Sequence, residues 1–251
     1  MLEIHQFACL SDNYGFLLHD PASGETAAID TPDGEEYLRQ AGAKGWTITQ
    51  IWNTHWHPDH TQGNGPIKTA TGAPIIAPSE VEKVSAIDRV IAPGDEVTLG
   101  AWRAEVFDAS GHTNGHIAFH LPDAGIAFVG DCVFALGCGR MFEGTAPQFW
   151  HSIKQVKALP PETTLYCAHE YTAANAKFAL HADPDNRALQ DYALEIDAKR
   201  ARGEPTVPTT LVRELATNPF LRADAPEIMA KWGNTSPEDA FAALRLAKDS
   251  F

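Results

Sequence analysis

The chain has 251 residues, of which 44% are hydrophobic and 21% charged, and its formal net charge is −14. These values predict a soluble globular protein with either one large domain or a domain of ~170 residues and a smaller appendage. The negative charge argues against nucleic-acid binding, which needs many Lys and Arg on phosphates. Neither a secretory signal nor an apolar run of roughly 18–20 residues is evident, and the four cysteines show no CxxC spacing, so we expect a cytoplasmic enzyme with reduced thiols.

The first quarter of the chain alternates short apolar runs with turns. Residues 2–7, 16–19 and 26–29 predict three strands of an antiparallel meander. A helix is predicted over 35–41, followed by a strand over 48–53. Asp30 ends the third run, and two roles remain open for it. It could serve turn or helix-cap chemistry, or it could bond a metal-binding histidine.

The predicted strand 48–53 leads directly into Thr-His-Trp-His-Pro-Asp-His, residues 54–60, which holds three imidazoles and one carboxylate. Imidazole suits zinc and iron, and a carboxylate can hold a second ion. His55 and His57 are two apart, so on an extended chain both point the same way. The following proline predicts a turn that brings Asp59 and His60 toward the same space. Because one tetrahedral ion needs three or four ligands, the four candidates here together with others downstream favour a pair of ions.

Two further candidate ligands follow later strands. A helix is predicted over 61–70, an irregular or helical piece over 79–87, and strands over 74–77, 97–99 and 102–108. The last of these strands ends in Ser-Gly-His-Thr-Asn-Gly-His, residues 110–116. We expect His112 to be a ligand, because it follows the strand directly between permissive glycines, and His116 to be structural.

The same pattern repeats in the next segment. A hairpin over 117–121 and 126–129 ends at Asp131, whose two oxygens could each serve one ion. A glycine-rich loop over 137–144, a helix over 147–159 and a strand over 165–168 lead to His169. Every candidate ligand thus follows a predicted strand. Cys132 and Cys138 flank this region and are interpreted as buried structural thiols.

Helical periodicity dominates from residue 172 onward, with breaks at Gly-Glu-Pro and Asn-Pro. Helices are predicted over 173–180, 187–202, 209–215 and 237–250. We therefore expect a catalytic domain over 1–171 and a small helical domain over 172–251.

With these residues in place, the chain resembles the metallo-β-lactamase superfamily, whose signature is Thr-His-x-His-x-Asp-His. Within it the chain is similar to the hydroxyacylglutathione hydrolases (glyoxalase II) over essentially its whole length. The matching segments are residues 54–60, 111–113, 130–131, 137–144, 168–171 and the ending Arg-x-x-Lys-Asp-x-Phe.

The resemblance implies an αββα four-layered sandwich followed by a helical domain that completes a glutathione site. It implies two divalent ions, zinc first, with iron or manganese as alternatives. The implied ligands of one ion are His55, His57 and His112; those of the other are Asp59, His60 and His169; Asp131 bridges the two. Asp59 and Asp131 are therefore also the implied catalytic residues. The implied glutathione-binding residues are Arg140, Phe142, Tyr171, Arg245 and Lys248, with Phe142 standing where some members have Tyr.

The implied reaction is hydrolysis of S-D-lactoylglutathione and related 2-hydroxyacylglutathione thioesters to glutathione and D-lactate, the second step of methylglyoxal detoxification. A hydroxide shared by the two ions would attack the thioester carbonyl. We expect a monomer that binds neither nucleic acid nor membrane.

The same fold supports other activities. The main alternative is a glutathione-persulfide dioxygenase, against which the Arg-x-x-Lys ending argues. A secreted β-lactamase would need a signal, and a ribonuclease Z a basic surface. A non-catalytic metal module would have a closed, usually Cys-rich site.

Overall fold

The computed structural model describes residues 1–233 and 236–251, and the chain forms two compact units. The first comprises Met1–Asp108 and Gly115–Gly130, and the second comprises Ala109–Asn114 and Asp131–Phe251. Within the described residues, no helix is long and apolar enough to cross a membrane.

The first unit contains a six-stranded sheet in which the strands follow one another in chain order. Its strands are β1 (Glu3–Cys9), β2 (Asn13–Asp20), β3 (Glu25–Ile29), β4 (Gln50–Trp52), β5 (Ile75–Ala77) and β6 (Arg89–Val90). The first three strands are antiparallel, which confirms the predicted meander, and β3 to β6 are parallel. The carboxyl ends of β3 and β4 therefore lie side by side, because Ile29 pairs with Trp52.

Two helices cover one face of this sheet. They are α1 (Gly34–Lys44) and α3 (Asn64–Thr71), which follows the single turn α2 (Pro58–Thr61). Tyr37 of α1 and Ile67 of α3 are fully buried in the cluster of apolar residues that the sheet contributes. Asp33 caps α1 by accepting hydrogen bonds from the N–H groups of residues 35 and 36, and Gly45 ends it at φ 72°.

The other face of the sheet packs on four antiparallel strands of the same unit. These are β7 (Glu96–Leu99), β8 (Trp102–Asp108), β9 (Ile117–Leu121) and β10 (Ile126–Gly130). Phe16 meets Phe128 edge-on at 5.4 Å between ring centroids, and Trp52 lies 5.4 Å from Phe119. Short 3-10 helices at Ser79–Lys83 and Pro122–Ala124 connect strands.

The second unit is mainly helical. Its elements are β11 (Val133–Phe134), β12 (Gly137–Cys138), α4 (Ala146–Lys157), β13 (Thr164–Cys167), α5 (Thr172–Ala182), α6 (Arg187–Ala201), β14 (Thr209–Thr210), α7 (Leu211–Thr217), α8 (Pro226–Trp232) and α9 (Pro237–Asp249). Buried aromatic rings hold its helices together: Phe178 of α5 and Phe241 of α9 both pack on Phe220.

Several predicted boundaries differ from the structure. The helix predicted over 61–70 is α3, which begins only at Asn64. Gly63 before it lies so close to residues 31 and 34 that a side chain there would meet their backbone atoms at 2.6–2.7 Å. Pro58 starts α2, where its missing N–H needs no partner. The segment predicted as a helix over 209–215 begins as β14. The elements β6, β11, β12 and α8 were not predicted from the sequence.

Candidate metal centre

The first unit gathers four of the predicted ligands at the end of β4. The ring nitrogens His55 Nε2 and His57 Nδ1 are 3.1 Å apart. The rings of His55 and His60 lie 4.0 Å apart between centroids, and His60 Nε2 is 3.5 Å from Asp59 Oδ2. His55 and His60 are buried. The predicted turn at residue 58 therefore brings His60 back against His55.

Asp30 fixes this cluster from the neighbouring strand end. Its carboxylate accepts hydrogen bonds from Thr54 N at 2.8 Å, from Thr54 Oγ1 at 2.9 Å and from His60 Nδ1 at 2.9 Å. It lies in the left-handed region, at φ 45°, which few residues other than Gly adopt without cost. Of the two roles left open by the sequence, Asp30 has the contact with a histidine, and Asp33 is the helix cap.

Replacing Asp30 with asparagine is expected to weaken metal binding by about 10–100-fold, since partners that orient ligand histidines typically contribute that much. The amide has one acceptor oxygen instead of two, so it cannot accept from Thr54 N at one position and from Thr54 Oγ1 and His60 Nδ1 at the other, whereas the side-chain volume is unchanged. Chelator competition on the purified protein measures the effect. The control is Asp33→Asn, which changes a carboxylate at the helix cap; equal metal affinity in both variants would contradict the role of Asp30.

Hydrogen bonds also set which ring nitrogen of His55 carries the lone pair. Thr54 Oγ1 donates to Asp30, so it accepts from His55 Nδ1 at 3.0 Å and leaves Nε2 with a lone pair. His60 likewise donates from Nδ1. Asn13 donates to Asp59 Oδ2 at 3.1 Å, a contact that no sequence motif indicated. His116, predicted to be structural, is buried and stacks on His55 at 4.6 Å.

The second unit gathers the other three predicted ligands around Asp131. One carboxylate oxygen, Oδ2, lies 3.4 Å from His112 Nε2, and the other, Oδ1, lies 3.4 Å from His169 Nε2. His112 donates from Nδ1 to the carbonyl oxygen of Arg140 at 2.8 Å, which leaves Nε2 as its lone-pair nitrogen. Tyr171 stacks flat on His169 at 4.6 Å. A carboxylate with one oxygen toward each imidazole has the form that a bridge between two ions requires.

These donor sets fit divalent metal ions. Two ligand atoms each about 2.0–2.1 Å from one tetrahedral zinc are about 3.3 Å from each other. The donor pairs within each unit are separated by 3.1–3.5 Å. The donor atoms are imidazole nitrogens and carboxylate oxygens, which suit zinc, iron and manganese.

A cavity of about 490 Å³ in the second unit opens onto this carboxylate. It is lined by His112, Asp131 and all five predicted substrate residues, namely Arg140, Phe142, Tyr171, Arg245 and Lys248. Phe142 is largely exposed and meets the ring of His112 edge-on at 5.3 Å. The structure therefore brings the predicted substrate-binding residues of this unit together with two of its predicted metal ligands, His112 and Asp131.

The two basic residues near the carboxyl end differ in their surroundings. Arg245 is buried, and it donates to the carbonyl oxygen of Cys138 at 2.8 Å and to Asp249 at 2.9 Å. Lys248 is half-buried, and its ammonium group lies 5.5 Å from the ring centroid of Phe178. Burial, followed by the nearby charges of Arg245 and Arg140, lowers the pKa of Lys248.

All four cysteines are buried and outside disulfide bonds, and burial of Cys132 and Cys138 was predicted from the sequence. Burial raises the pKa of the Cys138 thiol to about 11 even though Arg245 lies beside it. A protonated thiol is a poor nucleophile. The cavity therefore contains no cysteine suited to covalent catalysis among its described lining residues.

Comparison with known proteins identifies the family. Residues 15–169 match the family model of the metallo-β-lactamase superfamily, and residues 170–251 match that of the hydroxyacylglutathione hydrolase C-terminus. A hydroxyacylglutathione hydrolase from Erythrobacter litoralis is 73% identical over the full length of both chains. The chain belongs to the hydroxyacylglutathione hydrolase family. A second member, from Hyphomonas neptunium, is 57% identical over all of this chain and 99% of its own.

Solved structures agree with this family on the fold. ETHE1 from Myxococcus xanthus superposes with a TM-score of 0.67 at 25% identity, covering 99% of both chains. The B3 metallo-β-lactamase BLEG-1 gives the same TM-score at 17% identity, over 88% of this chain and 99% of its own. The predicted family, metallo-β-lactamase fold and hydrolase class are confirmed. The family and the two His/Asp clusters also indicate a metal-binding protein.

Proposed function

We propose that this hydroxyacylglutathione hydrolase acts on S-D-lactoylglutathione and related 2-hydroxyacyl thioesters, and releases glutathione and the hydroxy acid. The observation that carries the proposal is the composition of the cavity. Arg140, Arg245 and Lys248 line the same space as His112 and Asp131. A chain of net charge −14 needs local cations to hold an anionic peptide, and these cations lie beside the residues that would bind metal.

We further propose a dinuclear centre. His55, His57 and His112 would hold one ion, Asp59, His60 and His169 the other, and Asp131 would bridge them. Zinc is proposed first, with iron or manganese as alternatives. When bound, two divalent ions lower the pKa of water toward neutrality and polarise a carbonyl group. Support comes from the separations of 3.1–3.5 Å between neighbouring donors within each unit. It also comes from His55, His60 and His112, whose Nδ1 hydrogen bonds leave the ring lone pair on Nε2.

The chain's own residues would bind and orient the substrate. Lys248 and Arg140 would pair with glutathione carboxylates, and Tyr171 would contact the peptide beside His169. Phe142 would contribute an apolar edge in place of a hydroxyl group. Since a thiol has an ordinary pKa near 8.5, its departure needs little help from a general acid.

The proposed domain boundary lies between residues 171 and 172. It is supported by the two family models, which meet at residues 169 and 170. The helical domain 172–251 would supply Lys248 and Arg245 to the glutathione site. We also propose that the protein is a cytoplasmic monomer that binds neither nucleic acid nor membrane, in keeping with its negative charge.

Replacing Lys248 with methionine is expected to raise KM for lactoylglutathione by roughly 10–100-fold, because a hydrogen bond to a charged group contributes about 1.5–3 kcal/mol. The contact lies away from the scissile bond, so kcat should stay within about twofold. Steady-state kinetics on lactoylglutathione and on a small thioester without the peptide provide the test. An unchanged KM for lactoylglutathione would contradict the glutathione assignment.

The control variant is Lys199→Met. It removes an exposed lysine of α6 that is not among the described cavity residues, and it should leave KM unchanged.

The pH dependence of KM gives a second test of Lys248. Because the pKa of Lys248 is lowered, its ammonium loses its proton below the ordinary lysine value. KM for the wild type should therefore rise with pH before that value is reached, and the methionine variant should lack this rise.

A substrate panel separates the proposed reaction from the alternatives. Lactoylglutathione should be hydrolysed, whereas glutathione persulfide, a chromogenic β-lactam and precursor tRNA should not be turned over at a comparable rate. Oxygen consumption with the persulfide, and no thioester hydrolysis, would replace the proposal with a dioxygenase.

A further inference from the structure

The loop that joins Asp131 to Arg140, hereafter the 131–140 loop, is closed on itself. Gly139 N donates to the carbonyl oxygen of Asp131 at 3.1 Å, and β11 pairs with β12 inside the loop. Leu136 at the tip has φ 58°, a left-handed conformation that costs free energy for any residue with a Cβ. Contacts from outside the loop must offset this cost.

Four buried side chains of the helical region bind five consecutive residues of the loop. Glu214 accepts from Leu136 N at 2.8 Å; Asn218 donates to Phe134 O at 3.1 Å and Gly137 O at 3.0 Å; Asn175 donates to Ala135 O at 3.1 Å; and Arg245 donates to Cys138 O at 2.8 Å. Side chains of α5, α7 and α9, together with Asn218 just after α7, therefore hold these backbone groups. The short pairing of β11 with β12 adds to these contacts.

Glu214 is at the centre of this set. It is fully buried, and it also accepts from Thr209 Oγ1 at 2.7 Å and from Asn218 Nδ2 at 2.9 Å. Burial raises its pKa. Burying a carboxyl group costs free energy unless it is hydrogen-bonded. If the position only had to fill space in the core, an apolar side chain would therefore stabilise the fold more. What the carboxyl group adds is an acceptor for the N–H of Leu136.

Both ends of the loop reach the site. At one end, Asp131 places one oxygen 3.4 Å from His112 Nε2 and the other 3.4 Å from His169 Nε2. At the other end, the carbonyl oxygen of Arg140 accepts the Nδ1 hydrogen of His112. Gly139 lies between them, where a side chain would meet the Asp131 carbonyl oxygen at 2.1 Å and His112 Nδ1 at 2.9 Å. A shift of the loop would thus move the Asp131 carboxylate and, at the same time, break the hydrogen bond between His112 Nδ1 and the carbonyl oxygen of Arg140.

We propose that Glu214 and Asn218 are positioning residues of the metal centre. They hold the 131–140 loop so that Asp131 and His112 present their ligand atoms to the ions. Both lie outside the set of described residues that line the cavity. The inference rests on the proposed metal-dependent hydrolysis and extends it to side chains that touch neither substrate nor metal.

The test compares Glu214→Gln and Glu214→Leu in the purified, metal-loaded protein. In Glu214→Gln the amide oxygen still accepts from Leu136 N and the amide nitrogen donates to Thr209 Oγ1, so metal retention and kcat should stay within about threefold of wild type. Glu214→Leu leaves the N–H of Leu136 without its acceptor. It should lose metal to a chelator roughly 10–100-fold faster, as when an orienting partner is removed. Its kcat should fall more than its KM rises.

Ile228→Ala is the matched control. Ile228 is buried in α8, and its truncation lowers the melting temperature by opening a cavity without touching the 131–140 loop's hydrogen bonds. It should release metal at the wild-type rate. If Glu214→Leu does not fold, Thr209→Val removes one hydrogen bond from Glu214 at nearly constant volume, and Asn218→Ala removes two from the loop. Both should speed metal release, Asn218→Ala more.

Two outcomes would overturn the inference, and they differ. If the variants release metal at the same rate as Ile228→Ala while wild type binds metal and hydrolyses the thioester, Glu214 and Asn218 are structural only and the proposed function stands. If wild type itself neither retains metal nor hydrolyses the thioester, the proposed function fails and the inference fails with it.

Discussion

Replacing Asp131 with alanine is expected to lower the rate of lactoylglutathione hydrolysis by more than about 100-fold, because even partners that only orient a ligand contribute 10–100-fold. Asp131 presents one oxygen to His112 and the other to His169, so its loss would remove a ligand from both ions. Metal content measured on the same sample should fall below that of wild type. Normal metal content at full activity would exclude a bridging role.

His116→Ala is the comparison for Asp131→Ala. His116 is buried and stacks on His55, but we assign it no ligand role. Its loss should disturb the orientation of His55 without removing a ligand, so activity and metal content should fall less than in Asp131→Ala. Equal losses in the two variants would mean that His116 contributes to metal binding directly.

Removing metal with a strong chelator is expected to abolish hydrolysis and to lower the melting temperature, since ions that bind only the folded state stabilise it. Readdition of zinc, iron or manganese should restore activity. Elemental analysis of the saturated protein should approach two ions per chain. A saturating value of one ion with full activity would contradict the dinuclear centre and leave a mononuclear hydrolase or dioxygenase.

The residues that we propose as metal ligands could be singled out from the sequence because each follows a strand. β4 leads into His55 and His57, β10 into Asp131 and β13 into His169. Apolar runs and turn residues suffice to place such strands within a few positions. The spacing of imidazoles after them needs no knowledge of the tertiary structure.

The residues that orient these ligands could not be predicted in the same way, because their partners are distant in the chain. Asp30 bonds His60, which is 30 residues later, and Asn218 bonds Phe134, which is 84 residues earlier. Such contacts depend on which strand ends and helices lie side by side. The sequence left two roles open for Asp30, and it gave no indication that Glu214 or Asn218 contributes to the site.

The predicted boundaries of helices were wrong where close backbone packing outweighed the local preference of the sequence. The helix predicted from residue 61 begins only at Asn64, because Gly63 must lie against the backbone of residues 31 and 34. The sequence likewise did not indicate the protein contacts of Arg245. Its proposed role in glutathione binding stays a prediction, and it also donates hydrogen bonds to the Cys138 carbonyl oxygen and to Asp249.

The buried cysteines bear on how this protein coexists with the thiol that we propose it releases. Burial raises the pKa of Cys9 and Cys167 to about 12 and that of Cys138 to about 11. At pH 7 these thiols therefore stay protonated. Disulfide exchange proceeds through the thiolate and requires access to the sulfur. When the surrounding glutathione becomes oxidised, these three thiols are protected from forming mixed disulfides with it.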